Sequence, residues 1–142
     1  MLLIPVRVAP SSIHQNGLFP ARPLPKGTPI WRFASGFDHD FSPMEWRILP
    51  EIARMHVRHF CFVRFGDLHL ILSGDHACFI NHSSNPNTGA TPGSQPPVTT
   101  VALRDISPEE EITCDYWTYD ADTPWKLGLV SRDAGLGSNP GP

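Results

Sequence analysis

Charge is what this 142-residue sequence has least of. Asp, Glu, Lys and Arg together make up 18% of it, the formal net charge is −3, and no block of Lys or Arg interrupts the pattern. Nucleic-acid binders carry a basic stripe, so direct nucleic-acid binding is not expected. Long hydrophobic runs are missing as well, which leaves no candidate membrane span. Residues 1–7 are apolar but broken by Pro5, too short a stretch for a secretory signal. Cysteine is scarce: Cys61, Cys78 and Cys114 form no C-x-x-C pair, and each sits in an apolar stretch as a free core thiol does in a reducing compartment. His56 and His59 stand near Cys61, but the cluster lacks a fourth ligand. His82 has no carboxylate or thiol at ligand spacing, and no metal site is expected. A soluble intracellular protein follows from these absences.

In place of these the chain has 16 Pro, 11 Gly, four Trp and eight Phe, the composition of short strands and irregular connections. Its length is that of one domain. Alternation predicts a strand over residues 3–8, a polar loop over 9–17, a short apolar piece at Leu18-Phe19 and a strand over 30–33. Pro20, Pro23, Pro25 and Gly27 make the stretch between an ordered connection without a ladder. Ser42-Pro43-Met44-Glu45 starts a helix, with Ser42 as cap, Pro43 at the first position and Glu45 closing a capping box. Pro50 interrupts that helix, and residues 51–57 resume it. Residues 60–65 and 68–72 flank Gly66-Asp67 as a hairpin. Phe79-Ile80 reads as the end of a buried strand. Residues 88–97 read as a surface loop, 98–103 as a β-branched strand, 112–116 as a last short strand, and 131–142 as a disordered tail. There is no internal repeat.

Three stretches carry polar chemistry: Cys78-Phe79-Ile80-Asn81-His82-Ser83-Ser84-Asn85-Pro86-Asn87, Glu109-Glu110-Glu111-Ile112-Thr113-Cys114-Asp115-Tyr116, and Asn16-Gly17-Leu18-Phe19. Taken singly, the first is a turn with good side-chain hydrogen bonds. Tyr116 alone is equally a buried structural tyrosine, and Trp117 and Trp125 are either core or ligand wall. Glu109-Glu110-Glu111 reads as a solvated turn without chemistry. As an ordered set, however, the three resemble the SET domain, the protein-lysine methyltransferase family. Its Asn-His-Ser-x-x-Pro-Asn signature is matched by residues 81–87, its strand ending in Asp-Tyr by Asp115-Tyr116, and its front loop by Gly17-Leu18-Phe19 with Leu24-Pro25-Lys26-Gly27.

The resemblance spans roughly residues 5–120 and implies a mainly β protein with short helices. That fold, β-clip-like, has several small sheets and a C-terminal segment threaded in a knot-like way. It implies one SET-like domain over 1–126 and a flexible tail over 127–142. It also implies an S-adenosylmethionine-dependent transfer of methyl to a lysine amine in a protein, histone-like or other, yielding S-adenosylhomocysteine. Tyr116 would be catalytic. Gln15, Asn16, Gly17, Leu18, Phe19, Asn81, His82 and Trp117 would face the cofactor, with Asn81 on its amino group, the His82 backbone on its adenine, and Gly17 allowing main chain to approach where a side chain would collide. Phe33, Phe79, Tyr116 and Tyr119 would line the lysine channel. The partner would be a protein or peptide presenting lysine, met in the cytoplasm, or in a nucleus if it is a histone. The sequence also departs from the family: Gln15 replaces a loop glycine, Phe33 a second channel tyrosine, and Pro108-Glu109 a turn glycine, while the Cys-rich zinc segment of many members is missing, as in compact viral and bacterial ones. Gln15 and Phe33 motivate an alternative, a catalytically silent SET-like module that binds a lysine-bearing peptide or protein.

Overall fold

The structure, a computed structural model, describes residues 1–91 and 99–131. Its strands are β1 (Val6–Pro10), β2 (Asn16–Pro20), β3 (Pro29–Arg32), β4 (His39–Phe41), β5 (Phe62–Val63), β6 (Leu70–Leu72), β7 (Asn81–His82), β8 (Thr88–Ala90), β9 (Thr99–Ala102) and β10 (Thr113–Cys114). The helices are α1 (Pro43–Ile48), α2 (Glu51–Phe60) and α3 (Thr123–Lys126), with 3-10 turns at His76–Phe79 and Tyr116–Thr118. Two- to five-residue strands are too short to hold alone, and they gather into four small sheets. β1 and β2 form an antiparallel hairpin, β3-β9-β8 and β4-β6-β5 are antiparallel triplets, and β10 runs parallel to β7. Among the described residues no helix is long and apolar enough to cross a membrane.

Two cores hold the sheets together. Leu18, Leu24, Ile30, Ala102, Ile106 and Ile112 make the first, with Val6, Val8, Trp31 and Ile80 packed on its edge. Val57, Cys61, Val63 and Leu70 make the second, under Trp46 and Leu49. Each fully buried Leu or Ile contributes roughly 1.5–3 kcal/mol of transfer free energy, so these clusters carry most of the favourable term. The bridges Leu18↔Ile112 and Leu24↔Ile106 tie the front hairpin and its proline-rich connection to the segment leading into β10.

The capping box is formed as expected: Ser42 N–H donates to Glu45 Oε2 at 2.8 Å, and Glu45 N–H donates to Ser42 Oγ at 3.2 Å. Pro50 separates α1 from α2. The hairpin around Gly66 is also present, shortened to β5 and β6 because α2 runs on through Phe60. Gly66 and Leu68 at φ 95° and 58° turn the chain there.

Other expectations are corrected. Phe79-Ile80 does not end a strand; His76–Phe79 is a 3-10 turn capped by Asp75, whose Oδ1 accepts Ala77 N–H at 3.0 Å. An apolar pair is compatible with either conformation, and the cap decides it. Residues 88–90, expected in a loop, form β8, because Thr88, buried, anchors on Thr113 O through its hydroxyl. The rest of that expected loop from residue 92 to 97, the first residue of the expected 98–103 strand, and most of the expected tail, 132–142, lie outside the described residues. β4 carries no alternation strong enough to announce itself; it forms because its backbone completes the β6 ladder.

Candidate functional site

β7 and β10 are two residues long, and side chains do the work that a longer ladder would. The parallel register sets Asn81 beside Thr113 and His82 beside Cys114, and Ser83 N–H continues it to Cys114 O at 3.0 Å. Asn87, 1% exposed, clamps the motif loop onto the second strand. Its Oδ1 accepts Thr113 N–H at 2.8 Å, while its Nδ2 donates to Glu111 O at 2.7 Å and Glu110 Oε1 at 3.2 Å. One buried amide thereby satisfies backbone groups that would otherwise be orphaned.

Asn81, 8% exposed, points its Nδ2 at Glu111 Oε1 (2.7 Å), Asn16 O (3.0 Å), His14 O (3.2 Å) and Ser11 Oγ (3.3 Å). Two of these acceptors belong to the turn between β1 and β2, and Asn16 opens β2. Gln15 turns that loop at φ 41°, a conformation open to glycine and, at modest cost, to other residues, which is how the chain does without the expected glycine. At Gly17 a Cβ would stand 2.3 Å from Glu111 Oε1. A side chain at residue 17 would therefore have to displace this chain's own carboxylate.

Tyr116 brackets Asn81. Its hydroxyl donates to Ile80 O at 2.7 Å, its backbone N–H donates to His82 Nδ1 at 3.2 Å, and the His82 and Tyr116 ring centroids are 5.4 Å apart. Accepting that N–H leaves the His82 proton for Nε2 in the neutral ring. Burial pushes the Tyr116 hydroxyl well above the ordinary phenol range, with the Cys114 thiol and the Asp120 carboxylate adding to it. Burial does the same to Tyr119. Both are neutral hydroxyls at physiological pH and cannot serve as bases.

A cavity of about 80 Å³ opens beside Tyr116, walled by Phe60, Phe62, Ile80 and Tyr119, with the thiols Cys61 and Cys78 between them. The rings meet edge to face: Phe62 on Tyr119 at 5.2 Å and Tyr119 on Tyr116 at 6.0 Å. Burial raises the Cys61 and Cys114 thiols to about 12. Lys126 of α3 reaches the cavity from below. Its Nζ donates to Asp120 Oδ2 at 2.6 Å and to Cys61 O, and stands 5.6 Å from the Tyr116 ring centroid. Asp120, 1% exposed, is fixed through Oδ1 by Val63 N–H and Asp122 N–H. A larger open depression of about 380 Å³ at Pro23, Leu24, Pro25 and Ile106 shares no lining residue with this cavity.

The structure thus brings together Asn16, Gly17, Asn81, His82, Tyr116 and Tyr119 of the residues singled out in the sequence. Leu18 is a core side chain, at 0% exposure, clustered with Ile106 and Ile112, and its carbonyl accepts Ile112 N–H at 2.7 Å. Phe19 lies under the Arg7 guanidinium. Trp117 is half exposed and continues from the Asp115 cap, and Trp125 stacks on Arg58. Phe79 packs on Phe60, one ring back from the cavity, and Phe33 does not line it. Sequence reading missed Phe60, Phe62, Lys126, Asp120, Ser11, His14 and Glu111. Phe60 and Phe62 read only as part of a hairpin strand, and no local pattern links α3 to Tyr116. Among the described residues no group of His, Cys, Asp and Glu is arranged to hold a metal ion.

Comparison with known proteins gives three findings. The family model of the SET domain matches residues 15–117. A crystal structure of a Plasmodium falciparum protein provisionally described as a histone methyltransferase superposes with a TM-score of 0.55 at 18% identity, covering 81% of this chain and 95% of that one. A humanized mutant of the Chaetomium thermophilum Polycomb Repressive Complex 2, bound to the inhibitor GSK126, superposes with a TM-score of 0.60 at 18% identity, over 86% of this chain and 16% of that one. No curated protein sequence matches.

Proposed function

Since the chain belongs to the SET-domain family, we propose that it is an S-adenosylmethionine-dependent protein-lysine N-methyltransferase, with residues 1–126 as the working domain and 127–142 as a tail. The carrying observation is the β7–β10 pairing, which brings the acceptor-lined turn around Asn81 and the aromatic cavity around Tyr116 to adjoining residues of one strand pair.

The residues fit the cofactor in chemistry. His14 O, Asn16 O and the Glu111 carboxylate, which converge on Asn81 Nδ2, are acceptors that an α-ammonium would share, and the backbone of His82 would meet the adenine. When bound, S-adenosylmethionine supplies a methyl group made electrophilic by its sulfonium. The chain then has to position an amine, and positioning of this kind accounts for much of the rate in a displacement. The Tyr116 hydroxyl and the Ile80 carbonyl are neutral oxygens at the cavity wall, suited to orient an amine without protonating it. Phe60, Phe62 and Tyr119 put rings on part of the wall, and the desolvation they would impose on a bound amine favours its neutral form over ammonium. Asp120 does not oppose this, because Lys126 already neutralises it. No general base is needed in the wall. The substrate is a protein or peptide that presents lysine, histone-like or other, met in the cytoplasm or nucleus.

Calorimetric titration with S-adenosylmethionine tests the reading: binding heat and a thermal shift are expected, and the lack of both at millimolar cofactor removes it. The second reading, a silent module that binds a lysine-bearing partner, draws on the narrowness of the cavity and on Lys126 at its floor. Cofactor binding without methyl incorporation into a broad protein panel selects it.

A further inference from the structure

Asn81 Nδ2 carries two hydrogens, yet four acceptors crowd it within 3.3 Å: Ser11 Oγ, His14 O, Asn16 O and Glu111 Oε1. The surplus is on the acceptor side, and one member of the set carries a full negative charge. Glu111 is the member that loop geometry does not require. It reaches back from the segment before β10, Oε2 accepting Ser11 Oγ–H at 2.7 Å and Oε1 accepting Asn81 Nδ2–H at 2.7 Å, and lies in the gap that Gly17 leaves by having no Cβ. Three residues from two parts of the chain, Ser11 and Gly17 of the front hairpin and Asn81 of β7, are thus spent on orienting one carboxylate. Neighbouring Glu110 is engaged differently, with Arg104, and Glu111 has no cationic partner among the described residues. A carboxylate that is oriented by two neutral donors but not neutralised, beside two aligned carbonyls, complements a primary ammonium, which offers three donors and a positive charge.

We infer that Glu111 is the specificity-determining group of the cofactor pocket: held by Asn81 and Ser11 against Gly17, its carboxylate selects ligands that carry an α-ammonium. The inference rests on the S-adenosylmethionine reading and adds to it a charged side chain that the sequence presents as part of a solvated acidic turn. Asn81 then has two tasks, to face the ligand and to hold Glu111.

The test is a binding measurement on the full chain, with S-adenosylhomocysteine and with its desamino analogue, which keeps adenosine, thioether and carboxylate. Wild type is expected to bind the amino compound at least tenfold more tightly. Glu111→Gln is nearly isosteric and can still accept from Ser11; it should weaken the amino compound about tenfold or more and leave the desamino analogue within twofold. Glu111→Asp, which retains the charge, should keep a preference for the amino compound and serves if the Gln variant does not fold. Equal weakening of both ligands by Glu111→Gln, or no weakening of either, overturns the inference while leaving the cofactor reading in place. Wild type that binds neither compound removes both.

Discussion

Replacing Lys126 with Met tests what holds the floor of the cavity. The substitution keeps most of the aliphatic stem and deletes the ammonium, leaving Asp120, 1% exposed, with its Oδ2 unpaired and Cys61 O without its donor. Removing one partner of a buried pair costs about 3–5 kcal/mol, because the other charge stays behind in a poorly solvated place. Lys126 retains 15% side-chain exposure, so water reaches the site and the lower end, about 3 kcal/mol, is the expected loss. For a domain of this size that corresponds to roughly 10 °C in Tm. Asp120→Asn alone keeps the Oδ1 that accepts Val63 and Asp122 N–H but turns an amide toward a buried ammonium, and should cost about as much. In the double variant no charge is left, and the new amide can donate where Lys126 did. Its loss should be about 1 kcal/mol, well below the sum of the singles. Urea unfolding followed by tryptophan fluorescence measures all four corners of the cycle. Additive losses, or a Lys126→Met cost under about 1 kcal/mol, would refute the view that α3 is pinned beneath Tyr116 by this ion pair.

Other consequences are checked more briefly. Tyr116→Phe should lower methyl transfer substantially while S-adenosylhomocysteine affinity stays within about twofold, since the hydroxyl contacts Ile80 O and not the acceptor turn; parallel loss of both would mark Tyr116 as structural. Asn87→Ala orphans Thr113 N–H and Glu111 C=O, each at about 1–3 kcal/mol, and should destabilise the chain by at least 2 kcal/mol in urea titrations. Gly17→Ala should weaken cofactor binding by displacing the Glu111 carboxylate, and Glu111→Ala in the same background should add little further loss, as read by titration calorimetry. Cys61 and Cys114 are raised by burial from 9.0 to about 12, so the folded state holds protons that the unfolded state releases. Their contribution is complete below pH 9 and is lost as pH rises from 9 toward 12, so the urea midpoint should fall over that range and fall less in Cys61→Ala; a flat profile from pH 8 to 11 contradicts the assignment.

Much of the architecture is local and therefore legible in the chain. Ser42 and Glu45 cap α1 through bonds three residues apart, Pro50 breaks the helix wherever it stands, and Gly66 turns the hairpin through its own backbone freedom. The ordered motifs at residues 16–19, 81–87 and 109–116 were enough to name the family, because each pairs a residue type with a backbone task. The site itself is less local. Its strands β7 and β10 are two residues long and parallel, so neither alternation nor length marks them. Asn87 and Glu111 lie in segments that read as a turn and an acidic run, and they become a clamp and an oriented carboxylate only when residues 81–87 lie along 111–114. Lys126 meets Asp120 and Cys61 across the second core, a contact no spacing rule contains. Composition, caps, turns and motif order are properties of neighbouring residues, and the sequence by itself determined them. Which acceptors crowd Asn81 and which rings wall Tyr116 depend on burying two apolar cores at once, and only the tertiary structure decided them.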